Sequence, residues 1–464
     1  MLDELFMNRR ADFPAKPTEL RVQRNTTRNA ALISGNLVSN AKAVASGVSA
    51  RVYDRGVYGF ASGADMSDES VKKILAAAAD NAVFLGSRAG NSVGDLPPLA
   101  PGNEKTAKID TDVPQKLLLD FAKELDEYIA GKYKNLSGRS VAVNCLDMEK
   151  LFMSNDAGGP VRMSHSLVPR AIIGVNLTVN DADGAPVSLG MPYGGYGFFT
   201  DLFRQPSQLY KDIDDQFEKL MQKAEGVYPE AGYKKVILGP DMAGILAHEA
   251  IGHTVEADLV LGGSVARNYM NKPIASELVT LVDFAHTALG GPVPVPVVVD
   301  DEGIEAKDAV IIENGILRSY MHNRFSAKKM GYEPTGNARA FQFSDEPLIR
   351  MRNTAVLPGK SKLADLIASV DDGYYLVRTG NGQADTTSEF MFSVTFGYEI
   401  KNGKLGRAIK DTTISGVAFD MLKTVDMVSD DMVWSGSGMC GKKQPIPTGM
   451  GGPAIKCMIN IGGR

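Results

Sequence analysis

Two of the five histidines in this 464-residue chain bracket a glutamate, in His248-Glu249-Ala250-Ile251-Gly252-His253. Neutral imidazoles are common zinc ligands, and a carboxylate beside a metal can take a proton from an attacking water and return it to a leaving amine. These residue types predict metal-assisted hydrolysis, with His248 and His253 as ligands and Glu249 as general base. Met242, Ile245 and Leu246 precede the pair at helical spacing, and Asp241 is placed to cap, so all three groups are expected to project from one helix.

The spacing sets a condition on that helix. Histidines at i and i+4 lie only about 40° apart around an α-helix, whereas the i, i+5 pair seen here lies about 140° apart. That is too wide for both rings to reach one ion at roughly 2.0–2.1 Å. A π-type turn, which takes up one extra residue, would return the rings to one face, and Gly252 is where the backbone is expected to yield.

A catalytic zinc site uses three protein ligands, so a third is needed. Cys145 follows Val141-Ala142-Val143, and Cys457 lies within an alternating apolar run; both read as core strand residues. Cys440 sits in Ser435-Gly436-Ser437-Gly438-Met439-Cys440-Gly441-Lys442-Lys443, too small and polar for a core strand, with lysines that would favour a thiolate. It is the cysteine assigned to the metal, with Glu256 as the alternative oxygen ligand. His165, His286 and His322 read as structural or surface residues, and Asp300-Asp301-Glu302 as a hydrogen-bonded turn rather than a cation site.

The elements that must position these groups divide the chain in two. Residues 1–230 read as an α/β domain. Short strands are expected between Glu19 and Ser62, helices from Ser67 to about Val83 and from Pro114 to Ile129, a loop from Ser92 to Asp112, strands from Val141 to Leu189, and a polar helix from Pro206 to Ala224. Residues 231–464 read as a mostly antiparallel β domain carrying the metal-binding helix. Strands are expected at Ala275–Val282, Val293–Asp300, Val310–Tyr320, Phe390–Ile400 and Ala454–Ile461, with hairpin turns at Asn314-Gly315 and Asn402-Gly403. The fold class expected is α+β. Tyr193-Gly194-Gly195-Tyr196-Gly197 lacks the context of a phosphate-binding loop and reads as a close-packed or mobile loop.

A net charge of −5 without a basic run argues against direct contact with nucleic acid, and the sequence shows no stretch approaching a membrane span. The N-terminus carries acids where a secretory signal would carry bases, and three cysteines do not make a disulfide framework; a cytoplasmic setting is expected.

Beyond these properties, the chain resembles the TldD/PmbA family, also called modulators of DNA gyrase. The resemblance is carried by the HExxxH segment at 248–253 with Glu256-Ala257-Asp258 after it. It is carried further by Gly56-Val57-Tyr58-Gly59-Phe60-Ala61, Asp300-Asp301-Glu302-Gly303, Arg350-Met351-Arg352-Asn353-Thr354, Leu357-Pro358-Gly359 and Met439-Cys440-Gly441-Lys442. It implies a zinc held by His248, His253 and Cys440, Glu249 as catalytic acid/base, and proteolysis of short or unfolded polypeptides. It also implies a dimer, either with a second copy or with a related member lacking the signature, in which this chain is the catalytic type. A peptide could then add as a strand to a sheet edge of the C-terminal half. The competing reading is a regulatory or partner subunit whose metal is structural and held by four protein ligands.

Overall fold

A computed structural model describes residues 12–89, 96, 99, 102–105, 113–155 and 162–462. The first half is built on one seven-stranded sheet of β1 (Thr18–Ile33), β2 (Asn36–Asp54), β3 (Val57–Gly63), β4 (Gly102–Lys105), β5 (Gly138–Asn155), β6 (Arg162–Asn180) and β7 (Pro186–Tyr196). Its order is β3-β2-β1-β5-β6-β4, with β7 also pairing β6, and all pairings except β4–β6 are antiparallel. Two amphipathic helices, α1 (Asp68–Gly86) and α2 (Gln115–Lys132), cover one face. Ser67 caps α1 by accepting from the Ser70 amide. Val71, Leu75 and Ala78 of α1 pack on Leu20, Val48 and Val52, while Leu118, Phe121 and Leu125 of α2 pack on Val141, Val143 and Ile173. The polar helix expected from Pro206 opens with a 3-10 turn and continues as α3 (Tyr210–Ala224).

Several elements differ from expectation, each for a reason local sequence does not carry. β1 and β2 are single long strands rather than short pieces. Within the polar run Gln23–Asn29, Gln23 and Asn25 face the second half of the chain and both donate to the Phe341 carbonyl, while Arg28 and Asn29 bond Asp147 and Asn144 of the neighbouring strand β5. The expected Ser92–Asp112 loop contains β4, paired in parallel with β6. Tyr193–Tyr196 is not a loop but the end of β7. Residues 156–161, within the span from Val141 to Leu189 expected to hold strands, lie outside the described residues.

In the second half, five strands close on themselves. Gly232–Leu238 (β8) pairs in parallel with Asp372–Ala384 and antiparallel with Ile455–Ile461, which pairs Thr412–Val417. That strand pairs Glu389–Lys401, which returns to Asp372–Ala384. A six-stranded mixed sheet runs Ile316–Leu317, Ala309–Glu313, Leu281–Phe284, Asn353–Val356, Gly449–Gly452, Val433–Ser435. Helix, mainly antiparallel sheets and their segregation make the α+β class expected. Asn314-Gly315 and Asn402-Gly403 are tight turns with positive φ at both residues. Val293–Asp300 is not a strand, because Pro294 and Pro296 remove ladder donors; it runs as a bent, irregular segment with Val293 and Val295 buried. Ala275–Val282 shortens to Leu281–Phe284, since Ser276 starts a turn closed by the Val279 amide. Val310–Tyr320 splits at its turn into Ala309–Glu313 and Ile316–Leu317.

Between the two sheets lies α4 (Pro240–Ile245), which passes without a break into a π-helix over Leu246–Gly252. Met242, Leu246, Ala250 and Ile251 are buried among Leu281, Ile311, Phe392 and Ile455, so both sheets clamp the helix. A Cβ on Gly244 would sit 2.9 Å from the Gly451 amide nitrogen; helix and strand backbones touch there. Asp241 does not cap: Gly239 holds that position and Pro240 opens the helix, while Asp241 accepts from the Thr379 amide. Gly252 has an ordinary right-handed conformation (φ −54°, ψ −49°), so it is not a point of backbone yielding. It is glycine because a Cβ would overlap the Met351 sulfur.

Among the described residues no helix is long and apolar enough to cross a membrane. Asp283, wholly buried, ties the mixed sheet together: it accepts from Arg352 Nε at 2.8 Å, from the amides of Arg352 and Asn353, from Thr354 Oγ1 and from Asn337 Nδ2. Asp283→Ala leaves the buried Arg352 charge uncompensated and is expected to cost roughly 3–5 kcal/mol in denaturant unfolding. Gly252→Ala is expected to cost about 1–3 kcal/mol by overpacking. Met351→Ala should cost less in that background than in the wild type, and additive losses in the double-mutant cycle would contradict the contact.

Candidate metal centre

The π-helix brings the two histidines together. The amide of His253 donates to the carbonyl of His248, five residues back, and the ring centroids lie 5.4 Å apart, edge to face. Ligand atoms of His248, His253 and Cys440 all lie within 4.8 Å of one another, 187 residues separating the cysteine from the second histidine. Cys440 Sγ is 3.4 Å from His253 Nε2. Bond lengths of about 2.3 Å to sulfur and 2.05 Å to nitrogen put two tetrahedral ligand atoms about 3.6 Å apart, so this pair already has the separation zinc requires. Glu249 sits over the same atoms, 3.5 Å from His253 Nε2 and 4.0 Å from His248 Nε2, and keeps some solvent exposure.

His248 supplies the fit test. It is wholly buried, and among the described residues neither ring nitrogen has a hydrogen-bond partner. Buried polar atoms are rarely left unsatisfied, so an imidazole in this state next to a second imidazole and a thiol fits a metal with N,N,S ligands. Burial raises the pKa of Cys440, but the adjacent His248 and His253 more than reverse this and lower it to about 3, so the sulfur is a thiolate. Burial opposes charge on His253, yet its hydrogen bonds to Cys440 and Glu256 raise it to about 10.

Glu256, the alternative ligand in the sequence, is not with the three donors. Its Oε2 accepts from His253 Nδ1 at 2.8 Å, which fixes the ring so that Nε2 faces the thiolate, the usual carboxylate support behind a metal-binding histidine. It is fully buried rather than a solvated helix residue. Lys442 stands 3.4 Å from Glu256 and bonds both oxygens of Asp258 at 2.7 and 2.8 Å, so it serves the carboxylates and not the thiolate. Sequence spacing offered Glu256 only as a ligand; its position four residues after Gly252 gave no sign of the supporting role.

The chain carrying Cys440 is braced from behind. Met439–Cys440 forms a two-residue ladder with Ile446–Pro447, so the buried cysteine lies in a short hairpin whose neighbours Met439 and Gly441 are exposed. Arg350, wholly buried, donates to the carbonyls of Cys440, Lys442 and Gln444, and Arg170 from the first half donates to those of Gly436 and Gly438. Neither arginine stood out as a site residue, because neither approaches the metal donors in sequence.

The remaining candidates lie elsewhere. His165 bonds Glu149, His322 bonds Ser326 and stacks on Tyr332, and His286 is exposed. Cys145 and Cys457 are buried in strands, and burial raises the Cys145 thiol to about 12. Asp300-Asp301-Glu302 is a turn whose carboxylates are internally spent: Asp300 accepts from the amides of Glu302, Ile304 and Ala338, Asp301 from Lys150 and the Ala340 amide, and Glu302 from Arg51 and the Arg324 amide.

A zinc metalloprotease TldD homologue of Saccharolobus solfataricus is 38% identical over 58% of the chain and 59% of its own length. A metalloprotease TldD homologue of Buchnera aphidicola is 42% identical over 50% and 49%. The chain therefore spans between half and three fifths of these two relatives. A metalloprotease of Methanocaldococcus jannaschii is 30% identical across 96% of both chains. Among solved structures, a modulator of DNA gyrase from Thermotoga maritima superposes with a TM-score of 0.76 over 99% of both chains at 19% identity. TldE from Thermococcus kodakarensis superposes with 0.74 over 100% of both at 18% identity; these two likenesses speak for the fold alone. Residues 18–82 match PmbA/TldA metallopeptidase domain 1, residues 231–463 match the PmbA/TldA metallopeptidase C-terminal domain, and the chain belongs to the PmbA/TldD metallopeptidase family.

Proposed function

We propose that the protein is a TldD-type zinc peptidase in which His248, His253 and Cys440 hold the metal and Glu249 is the general base. The observation that carries this reading is the wholly buried, unpartnered His248 ring beside the Cys440 thiolate, with Glu249 over the open side. Zinc, when bound, supplies a Lewis acid that polarises a carbonyl and makes water more acidic. Glu249 takes a proton from the attacking water and delivers it to the amine as the peptide bond breaks. Glu256 bonds His253 Nδ1 and so holds the ring with Nε2 toward Cys440, and Arg350 keeps the Cys440 backbone in register. A substrate strand adding to the outer edge of Val433–Ser435, which pairs on one side with Gly449–Gly452, would lie along the segment leading to Cys440. Short or unfolded polypeptides suit that mode, since folded chains do not offer an extended strand. The reading includes a dimer with a second copy or a related chain, and a reducing, cytoplasmic setting in which the three cysteines stay free.

Glu249→Gln is expected to abolish cleavage of unstructured peptides while retaining one zinc per chain by metal analysis; Cys440→Ala should lose both. Stoichiometric zinc without cleavage by the wild type, in the presence of its dimer partner, would instead assign the metal a structural role. Glu256→Gln removes the anionic support of His253 and is expected to weaken zinc affinity roughly 10–100-fold, read by chelator competition. Unchanged affinity would place Glu256 outside the centre.

A further inference from the structure

A cleft lies away from the metal donors, where the face of the N-terminal sheet opposite α1 and α2 meets the irregular Val293–Asp300 segment; its volume is about 150 Å³. Leu146, Met148 and Val168 form one wall, and Pro294, Pro296 and Val298 form the other. A cleft of about 150 Å³ with a mostly apolar lining takes a group about the size of benzene, the scale of one apolar side chain. Three cations enter it: Lys150 from β5, Arg170 from β6, and Arg339.

Their hydrogen bonds leave positive charge over. Both guanidiniums are more than nine-tenths buried, and neither is paired with a carboxylate among the described residues. Arg339 donates to the carbonyls of Met351 and Pro447; Arg170 donates to those of Gly436 and Gly438 and touches the Met439 sulfur. Each guanidinium has five N–H donors, so both keep donors in reserve. On the opposite side, Asp301 is neutralised by Lys150 at 2.6 Å, and Asp300 is turned toward three backbone amides. Burying two arginines against neutral carbonyls is costly unless an anion joins them.

We infer that this cleft binds the C-terminal end of a peptide, its carboxylate against Arg170 and Arg339 and its apolar last side chain between the Val168 and Val298 walls. The choice of a peptide over another apolar acid rests on the metallopeptidase reading; the cleft's preference for a carboxylate does not. Arg170 and Arg339 also hold opposite strands of the Met439–Cys440 hairpin, through Gly438 and Pro447, so a bound carboxylate would sit directly behind the metal-binding cysteine.

The test uses the full chain carrying Glu249→Gln with zinc bound, so that ligands are not cut. Calorimetry compares two tetrapeptides ending in leucine, identical except that one is C-terminally amidated. The free acid is expected to bind at least about tenfold more tightly, the effect of one charge-assisted contact. Adding Val298→Trp, which adds bulk to the wall and leaves both arginines unsubstituted, should remove that preference while zinc content, and hence the fold, is kept. Arg170→Gln should reduce it. Equal affinities for acid and amide, or a preference that survives Val298→Trp, would overturn the inference, the latter assigning the preference to the metal. Octanoate binding that Val298→Trp abolishes, with no peptide binding, would overturn the peptide assignment in favour of a small acid. A preserved acid preference in a chain whose wild type cleaves nothing would separate failure of the peptidase reading from failure of this one.

Discussion

A single hydrogen bond, from the His253 amide to the His248 carbonyl, sets the candidate metal centre. It spans five residues where an α-helix spans four, and that extra residue rotates His253 back onto the face of His248. In regular α geometry the rings would diverge and no third ligand could unite them. A π turn has poorer backbone packing than an α turn and does not persist without support. Here the support is burial: two sheets close on the helix, Gly244 meets the backbone of Gly451, and Met351 occupies the place where a side chain on Gly252 would stand.

The cysteine reaches the histidines through a different kind of constraint. Its hairpin contains little that could form a core, and it is held by arginines whose donors end on main-chain carbonyls. Arg350 binds three carbonyls of the hairpin, Arg339 one and Arg170 two, so the backbone near Cys440 is fixed by charge-assisted hydrogen bonds rather than apolar packing. Arg352 and Asp283 do the same for the neighbouring sheet. Such wholly buried guanidiniums carry a large desolvation cost, which makes their geometry specific: removing one partner strands the other.

The two halves of the chain are joined by the same chemistry. Glu19 and Arg51 from the N-terminal sheet meet Glu302 and Arg324, while Arg21 donates to the carbonyls of Gln342 and Asp345. Because Arg170 on β6 also grips the segment before Cys440, the N-terminal sheet is part of the frame of the metal centre and not an appendage to it. The cleft beside Arg170 and Arg339 lies on that seam.

The sequence by itself determined the candidate donors and the demand on their helix. His248, Glu249 and His253 are contiguous, and helical geometry converts an i, i+5 spacing into a requirement for a π turn without reference to anything distant. Helices α1 to α3 and the turns at Asn314-Gly315 and Asn402-Gly403 were equally legible, since periodicity and turn chemistry are local. Tertiary structure alone decided the rest. It made Glu256 a support for His253 instead of a ligand, gave Gly252 a packing role instead of a conformational one, kept the polar run of β1 in a sheet, and turned Val293–Asp300 into a cleft wall. For Gly252 and the β1 run the outcome depends on a residue far along the chain, Met351 and Phe341, and local propensity holds no record of such a neighbour.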